Sequence, residues 1–239
     1  MKVLAIDTSS IVATAAIMDD NKLIGEYVLN HQMTHSQKMM PIVKEILDSA
    51  QLKAQDMDIF AAANGPGSFT GLRIGVATVK GLAQAVDKPV VGVSTLDGLA
   101  FNLPFCKHLI SPIMDARRDQ VYNALYRWKE NTFYQAEQHR ALSVKELIAE
   151  LRERAEKVIF TGDGVPVFYE KLKHELGDLC AFAPISCRMQ RASSIAELAL
   201  QKAYAGETED YMTFTPFYLR QSQAEREYER KQSKMEQCE

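Results

Sequence analysis

Residues 64–75 read Asn64-Gly65-Pro66-Gly67-Ser68-Phe69-Thr70-Gly71-Leu72-Arg73-Ile74-Gly75. Just upstream, Ile59-Phe60-Ala61-Ala62-Ala63 is a short apolar run bounded by turn residues, the pattern of a core strand. Downstream, Leu72, Val76, Val79, Ala83 and Val86 recur every three or four residues, so a helix runs from here to Val86. Gly65-Pro66-Gly67 makes the turn between them, and Ser68 or Thr70 is the N-cap. A strand–turn–helix of this kind can aim first-turn N–H groups and the helix dipole at an anion. Two familiar phosphate motifs are nonetheless excluded. A P-loop requires Gly-Lys-Ser/Thr where Gly71-Leu72-Arg73 stands, and the dinucleotide fingerprint requires a third glycine where Thr70 stands.

The same reading extends outward in both directions. Val3 to Ile6 is a strand, and the runs Ala13 to Met18 and Leu23 to Leu29 flank Asp19-Asp20-Asn21 as a hairpin. Thr34-x-x-Gln37 has capping-box spacing and opens a helix bearing Met39, Met40, Val43, Ile46, Leu47 and Ala50 on its apolar positions. Val90 to Val93 is a further buried strand, which gives β-β-β-α-β-α-β for the first half. Past Pro104 the order begins again. Leu109 to Met114, Val121 to Trp128 and Thr132 to Tyr134 are strands, and Ser143-x-x-Glu146 caps a helix through Arg152. Val158 to Thr161 is a strand ending at Gly162-Asp163-Gly164, and Ser194-x-x-Glu197 caps a helix through Tyr204. Two halves with one order imply a duplicated fold, although no residue-level repeat is visible.

Composition limits what such a fold can do. With 239 residues, 46% hydrophobic, the chain can bury one substantial core or two small ones, and its net charge of −3 supplies no global attraction to nucleic acid. RNA contact therefore requires a local basic patch or a partner. The amino-terminal residues enter a strand pattern directly and no run reaches membrane-spanning length, so a cytoplasmic location is expected. Cys106, Cys180, Cys187 and Cys238 lack C-x-x-C spacing and read as reduced thiols. His31 and His35 have i,i+4 spacing without the glutamate of a zinc-peptidase helix, and His31 precedes the helix that Thr34 begins, so the pair shares no face.

The duplication resembles the two-lobed actin-like, sugar-kinase and Hsp70 (ASKHA) fold, an α/β architecture in which each lobe is a mixed five-stranded sheet with flanking helices. In that superfamily an aspartate after the first strand of each lobe lies near a nucleotide phosphate. Asp7-Thr8-Ser9-Ser10 and Asp115-Ala116-Arg117-Arg118 stand in those places. The resemblance thus makes Asp7, Thr8, Gly65, Gly67 and Asp115 the candidate nucleotide-contacting residues. Both turns lack the glycine that lets backbone approach phosphate oxygens, which weakens nucleotide hydrolysis as a function. Asp7 and Asp115 have a second role open to them, satisfying backbone N–H groups at the strand ends.

Several stretches together narrow the resemblance: Asp7-Thr8-Ser9, His35-Ser36, Gly65 through Gly75, Lys80-Gly81-Leu82-Ala83, Ser94-Thr95-Leu96, Asp115-Ala116-Arg117-Arg118-x-x-Val121-Tyr122 and Pro216-Phe217-Tyr218-Leu219-Arg220. They are similar to the TsaB (formerly YeaZ) family over nearly all of residues 1–220. The resemblance implies a non-catalytic scaffold subunit in the complex that transfers a threonylcarbamoyl group from threonylcarbamoyl-AMP to the adenosine beside the anticodon of tRNAs reading ANN codons. It further implies a heterodimer with the catalytic paralogue TsaD, association with TsaE, and tRNA held through the complex. No cofactor is expected to be tightly bound to this chain: ATP is used by the complex partner and the metal is carried by TsaD. TsaD has a His-x3-His metal pair after the strand equivalent to Val90–Val93, where this chain has Thr95 and Leu99, side chains that do not ligate iron or zinc. The alternative within the same fold is an active nucleotide-binding phosphotransferase.

For a scaffold, the informative feature is a surface. His35, Met39, Met40, Val43 and Ile46 on the first helix, with Leu72, Gly75, Val76 and Val79 on the second, are expected to form a patch that docks the equivalent helices of TsaD, with self-pairing of the isolated chain left open. The expected organisation is a first lobe over 1–103, a second over 104–220 and a charged tail over 221–239 too polar to build a core.

Overall fold

The computed structural model describes residues 1–31 and 35–220; the Thr34 cap and the charged tail fall outside the described residues. The first half contains β1 (Lys2–Asp7), β2 (Ala13–Asp19), β3 (Leu23–Leu29), α1 (His35–Ala50), β4 (Ile59–Gly65), α2 (Phe69–Val86), β5 (Val90–Ser94) and α3 (Thr95–Phe101). The second contains β6 (Leu109–Asp115), β7 (Gln120–Lys129), β8 (Thr132–Ser143), α4 (Val144–Arg154), β9 (Val158–Thr161), α5 (Gly164–Leu176), β10 (Cys180–Phe182), α6 (Ile185–Arg188) and α7 (Ala192–Tyr204).

Strand order is β3-β2-β1-β4-β5 in one sheet and β8-β7-β6-β9-β10 in the other. In each, the first three strands of the half pair antiparallel and the remaining two add in parallel. This is the two-lobed actin-like architecture, with the duplication expressed in topology. The hairpin at Asp19 forms as expected, its Oδ1 accepting the N–H groups of Asn21 and Lys22 at 2.9 and 3.0 Å. The Ser143 capping box also forms, Ser143 N–H donating to Glu146 at 2.8 Å and Glu146 N–H to Ser143 Oγ at 3.2 Å.

Alternation along the strands assigns each sheet two apolar faces. Leu4, Ile6, Ala15, Ile17, Phe60 and Ala62 pack against Met39, Val43 and Ile46 of α1 and Val76, Val79 and Ala83 of α2. Val3, Ala5, Ala16, Ala61, Val91 and Val93 point the other way, onto Ala192, Ile195, Ala196 and Ala199 of α7. In the second sheet Leu109, Ile113 and Leu125 meet α4 and α5, while Ile110, Met114, Ala124 and Tyr126 meet Leu96, Leu99 and Ala100 of α3. Each half therefore sends its last helix onto the sheet of the other. The two donated helices cross where Gly98 faces Ile195, and a Cβ at Gly98 would sit 2.5 Å from Ile195 Cδ1.

This exchange alters the expected boundary between lobes. The chain returns to the first lobe at α7, Val90 bridges Glu209, and Phe214 is buried in the first core. The start of α7 also differs from expectation. The helix begins at Ala192, ahead of Ser194, because Glu26 on β3 accepts Ser193 N–H at 3.0 Å and pairs with Arg191. Burial alone would raise the Glu26 pKa, but the Arg191 and Ser193 bonds outweigh it and hold the carboxyl below its ordinary value. Among the described residues no helix is long and apolar enough to cross a membrane.

Candidate functional site

The carboxyl ends of β1, β4, β6 and β9 open onto a cleft of about 1180 Å³ between the lobes, the position where open α/β sheets place ligands. Ser68 does cap α2, accepting Gly71 N–H at 3.3 Å. The helix start is nevertheless engaged by the chain itself. Ser68 N–H donates to the Ser9 carbonyl at 2.7 Å, and Thr8 Oγ1 donates to the Gly71 carbonyl at 2.7 Å. A Cβ at Gly67 would strike the Ser9 carbonyl oxygen, one at Gly71 the Thr8 carbonyl oxygen, and one at Gly65 that of Phe217. These glycines thus admit neighbouring backbone where a phosphate-binding loop would admit ligand.

The two strand-end aspartates play matching parts. Asp7 Oδ1 accepts Ser9 N–H at 2.8 Å, and Asp115 Oδ1 accepts Arg117 N–H at 2.9 Å, the same two-residue turn in both lobes. Of the five candidate nucleotide contacts, Gly67 and Asp115 line the cleft; Asp7, Thr8 and Gly65 lie behind its wall. Burial raises the Asp7 pKa to about 6, against the hydrogen bonds from Ser9 and the electrostatic effect of the nearby His35. Asp163, between β9 and α5, lines the cleft with its Oδ1 buried and without a hydrogen-bond partner among the described residues. Burial, reinforced by the charges of Asp115 and Asp7 and partly offset by the Asp115 N–H, pushes its pKa up to about 7. The sequence marked this position only as a Gly-Asp-Gly turn.

A raised carboxyl pKa means that the folded state holds its proton more tightly than the unfolded chain. Stability from this source is full below about pH 4 and is lost as pH rises through about 6 to 7 for Asp7 and Asp163. Asp163→Asn is expected to raise the melting temperature at pH 8 and to flatten the decline between pH 5 and 8. Thermal melts across that range check it; an unchanged slope would mean Asp163 titrates normally.

The expected partner patch requires correction. Met39, Val43, Ile46, Leu72, Val76 and Val79 are each no more than 6% exposed, and all but Leu72 belong to the first core. Gly75 faces Thr8, whose Oγ1 would lie 2.5 Å from an added Cβ. The stripes of both helices face their own sheet, because one wide sheet face consumes both. His35 lines the cleft and donates from Nε2 to the Ser10 carbonyl at 2.6 Å. Only Met40, 49% exposed, keeps the outward placement expected of the large apolar members. The outer surface of the pair instead presents Met40 and Lys44 with Arg73, Ala77 and Gly81.

A second polar cluster was not anticipated. Asp97 Oδ1 accepts from Tyr126 OH at 2.5 Å and lies 2.9 Å from His139 Nε2, which is 3.1 Å from Ser94 Oγ. It fastens α3 to the second sheet. Burial and then the Asp97 charge push the Tyr126 pKa well above its usual value, keeping its proton available to Asp97. Thr95 and Leu99 flank this cluster on α3, 0% and 1% exposed, with Leu99 packed among Leu96, Ala100 and Ile110.

Residues 23–228 match the family model described as TsaD, tRNA N6-adenosine threonylcarbamoyltransferase. A curated relative from Bacillus subtilis, tRNA threonylcarbamoyladenosine biosynthesis protein TsaB, is 34% identical over 94% of this chain and 96% of its own length. The protein of the same name from Escherichia coli is 33% identical over 63% of this chain and 65% of its own length. Among solved structures, YeaZ from Pseudomonas aeruginosa superposes with a TM-score of 0.75 at 26% identity, covering 91% of this chain and 99% of that one.

Proposed function

Because this chain belongs to the TsaB family of tRNA threonylcarbamoyladenosine biosynthesis proteins, itself within the TsaD family model, we propose that it is the non-catalytic scaffold of the transferase complex. In this reading it binds a TsaD-type catalytic subunit, a TsaE-type ATPase joins the pair, and tRNA is held by the assembly. The observation that carries the reading is the fate of the two positions at which TsaD is expected to hold its metal. Thr95 and Leu99 are turned into the core beneath α3, and Leu99 fills space among aliphatic side chains. A group so placed neither ligates a metal nor reaches the cleft. The phosphotransferase alternative draws less support, since the glycines of the 65–71 loop are packed against backbone.

The outer surface of α1 and α2 is the partner face we assign, in place of their buried stripes. Ala77 is exposed and Gly81 has open space around it among the described residues, none of which obstructs close approach of another helix. Ala77→Arg is expected to leave the fold intact and weaken binding to the cognate TsaD-type subunit at least about 30-fold, because a charge would be buried unpaired. Reconstituted tRNA modification should fall in parallel. Undiminished binding on size-exclusion chromatography would place the interface elsewhere, and transferase activity from the chain alone would end the scaffold reading.

A further inference from the structure

At the mouth of the cleft stands a group of side chains for which scaffolding alone has no use. Tyr218 stacks on Phe69, with ring centroids 4.4 Å apart and planes 22° apart. The Arg73 guanidinium lies 4.1 Å over the Phe69 ring, and its Nε donates to Tyr218 OH at 3.1 Å. Phe69 and Arg73 are both on α2, so a helix holds the platform, yet Tyr218 remains 37% exposed. Phe217 N–H donates to the Asn64 carbonyl at 2.7 Å, which fixes the backbone that carries Tyr218.

The opposite wall of the mouth is basic. Arg220 Nη1 donates to the Ala116 carbonyl at 3.3 Å and so reaches the β6–β7 turn. That turn presents Arg117 and Arg118 to solvent, and Arg118 has no partner among the described residues. Arg117, Arg118 and Asp119 have φ of 64°, 54° and 60°, three successive left-handed residues without a glycine. Such a run persists only where its surroundings impose it, and it is concentrated at functional turns. The neighbouring carboxylates are already engaged or buried: Asp115 pairs with Arg117 at 3.2 Å, Asp119 with Lys171 at 2.7 Å, and Asp7 and Asp163 lie beneath. The rim is therefore anion-attracting on a chain whose net charge is −3.

We propose that this rim binds a single-stranded RNA segment, with a base against the exposed side of Tyr218 and flanking phosphates on Arg117, Arg118 and Arg220. An aromatic platform beside guanidinium groups is the chemistry by which single strands are held without base-pair readout. Phosphate is kept at the mouth because the deeper cleft carries carboxyl groups. The choice of RNA among polyanions rests on the family reading above; the platform and the arginines do not.

The test is fluorescence anisotropy of the full chain with a labelled 12-nucleotide single strand, the same sequence as a duplex, and free AMP, at several salt concentrations. Tyr218→Ala is expected to weaken single-strand binding by about 5- to 100-fold. Arg118→Glu, which removes no internal bond, should weaken it several-fold and reduce the salt slope by about 0.7. Duplex binding equal to the single strand, AMP binding equal to the 12-mer, no binding to the strand, or indifference to both substitutions would each overturn the proposal. Binding of the TsaD-type subunit, measured on the same variants, should be unchanged. Loss of RNA binding with that partner retained leaves the scaffold reading standing, and failure of the partner to bind wild type indicts the scaffold reading alone.

Discussion

Val76→Glu is expected to leave no folded first lobe. Val76 is 4% exposed and packs between α2 and the sheet among Ile6, Phe60 and Met39. Glutamate there must either carry an unpaired charge into an apolar layer or hold its proton against solution pH, and each route costs several kcal/mol, of order ~5. Stability of a domain is about 5–15 kcal/mol, so one such change consumes much of it. Val43→Glu, 1% exposed on α1, should act alike. Far-UV circular dichroism and solubility are the readouts, with Ala77→Arg, one residue along on the exposed side of α2, as the folded control. A well-folded Val76→Glu chain that merely loses its partner would restore the stripe as a docking surface.

The second large effect is expected at Gly71. Alanine is the better helix former by up to about 1 kcal/mol, so the substitution would stabilise α2 if space allowed. It does not: the new Cβ collides with the Thr8 carbonyl oxygen, which is backbone and belongs to a turn fixed by Asp7 and by the Thr8–Gly71 hydrogen bond. Displacing packed backbone costs about 1–3 kcal/mol or more, and the turn supplies the cleft wall as well, so Gly71→Ala should lose about 2 kcal/mol net. Gly81→Ala, ten residues on in the same helix with no described residue within 4 Å of its added Cβ, should gain up to about 1 kcal/mol. Urea denaturation separates the two. Equal midpoints for both variants would show that the loop yields, and that close packing against the β1 turn is not what its glycines serve.

Most of the fold was legible because its signals are local. β3 and β9 fall on the residues their apolar runs mark, and the Ser143 box begins α4 after that cap. Signals failed where a partner distant in sequence decides the outcome. β8 extends to Ser143 although Gln135, Glu137 and His139 break any apolar run, because the β7 ladder supplies its hydrogen bonds. α3 is too short for a helical period to show, and it stands because Ser94 caps it and Asp97 anchors it to Tyr126. The helix stripes were recognised as apolar, but periodicity gives the direction of a face and not its occupant; a sheet two helices wide took both. Asp163 was hidden for a related reason, since its altered acidity comes first from burial in the folded chain and then from the charges of Asp115 and Asp7, which only the fold brings near it.

The exchange of α3 and α7 makes each half of the chain depend on the other to fold. Either half alone would leave one whole sheet face, the Ile110–Tyr126 layer or the Val3–Val93 layer, open to water. Two unlinked halves would close those faces by each donating its terminal helix to the other, which is the geometry of a helix-swapped pair. The link across residues 102–108 makes that exchange intramolecular, so the two halves need not be alike: one turn carries Thr-Ser-Ser against a glycine loop, the other carries arginines. By the same logic, separately expressed halves should be insoluble alone and recover structure when mixed.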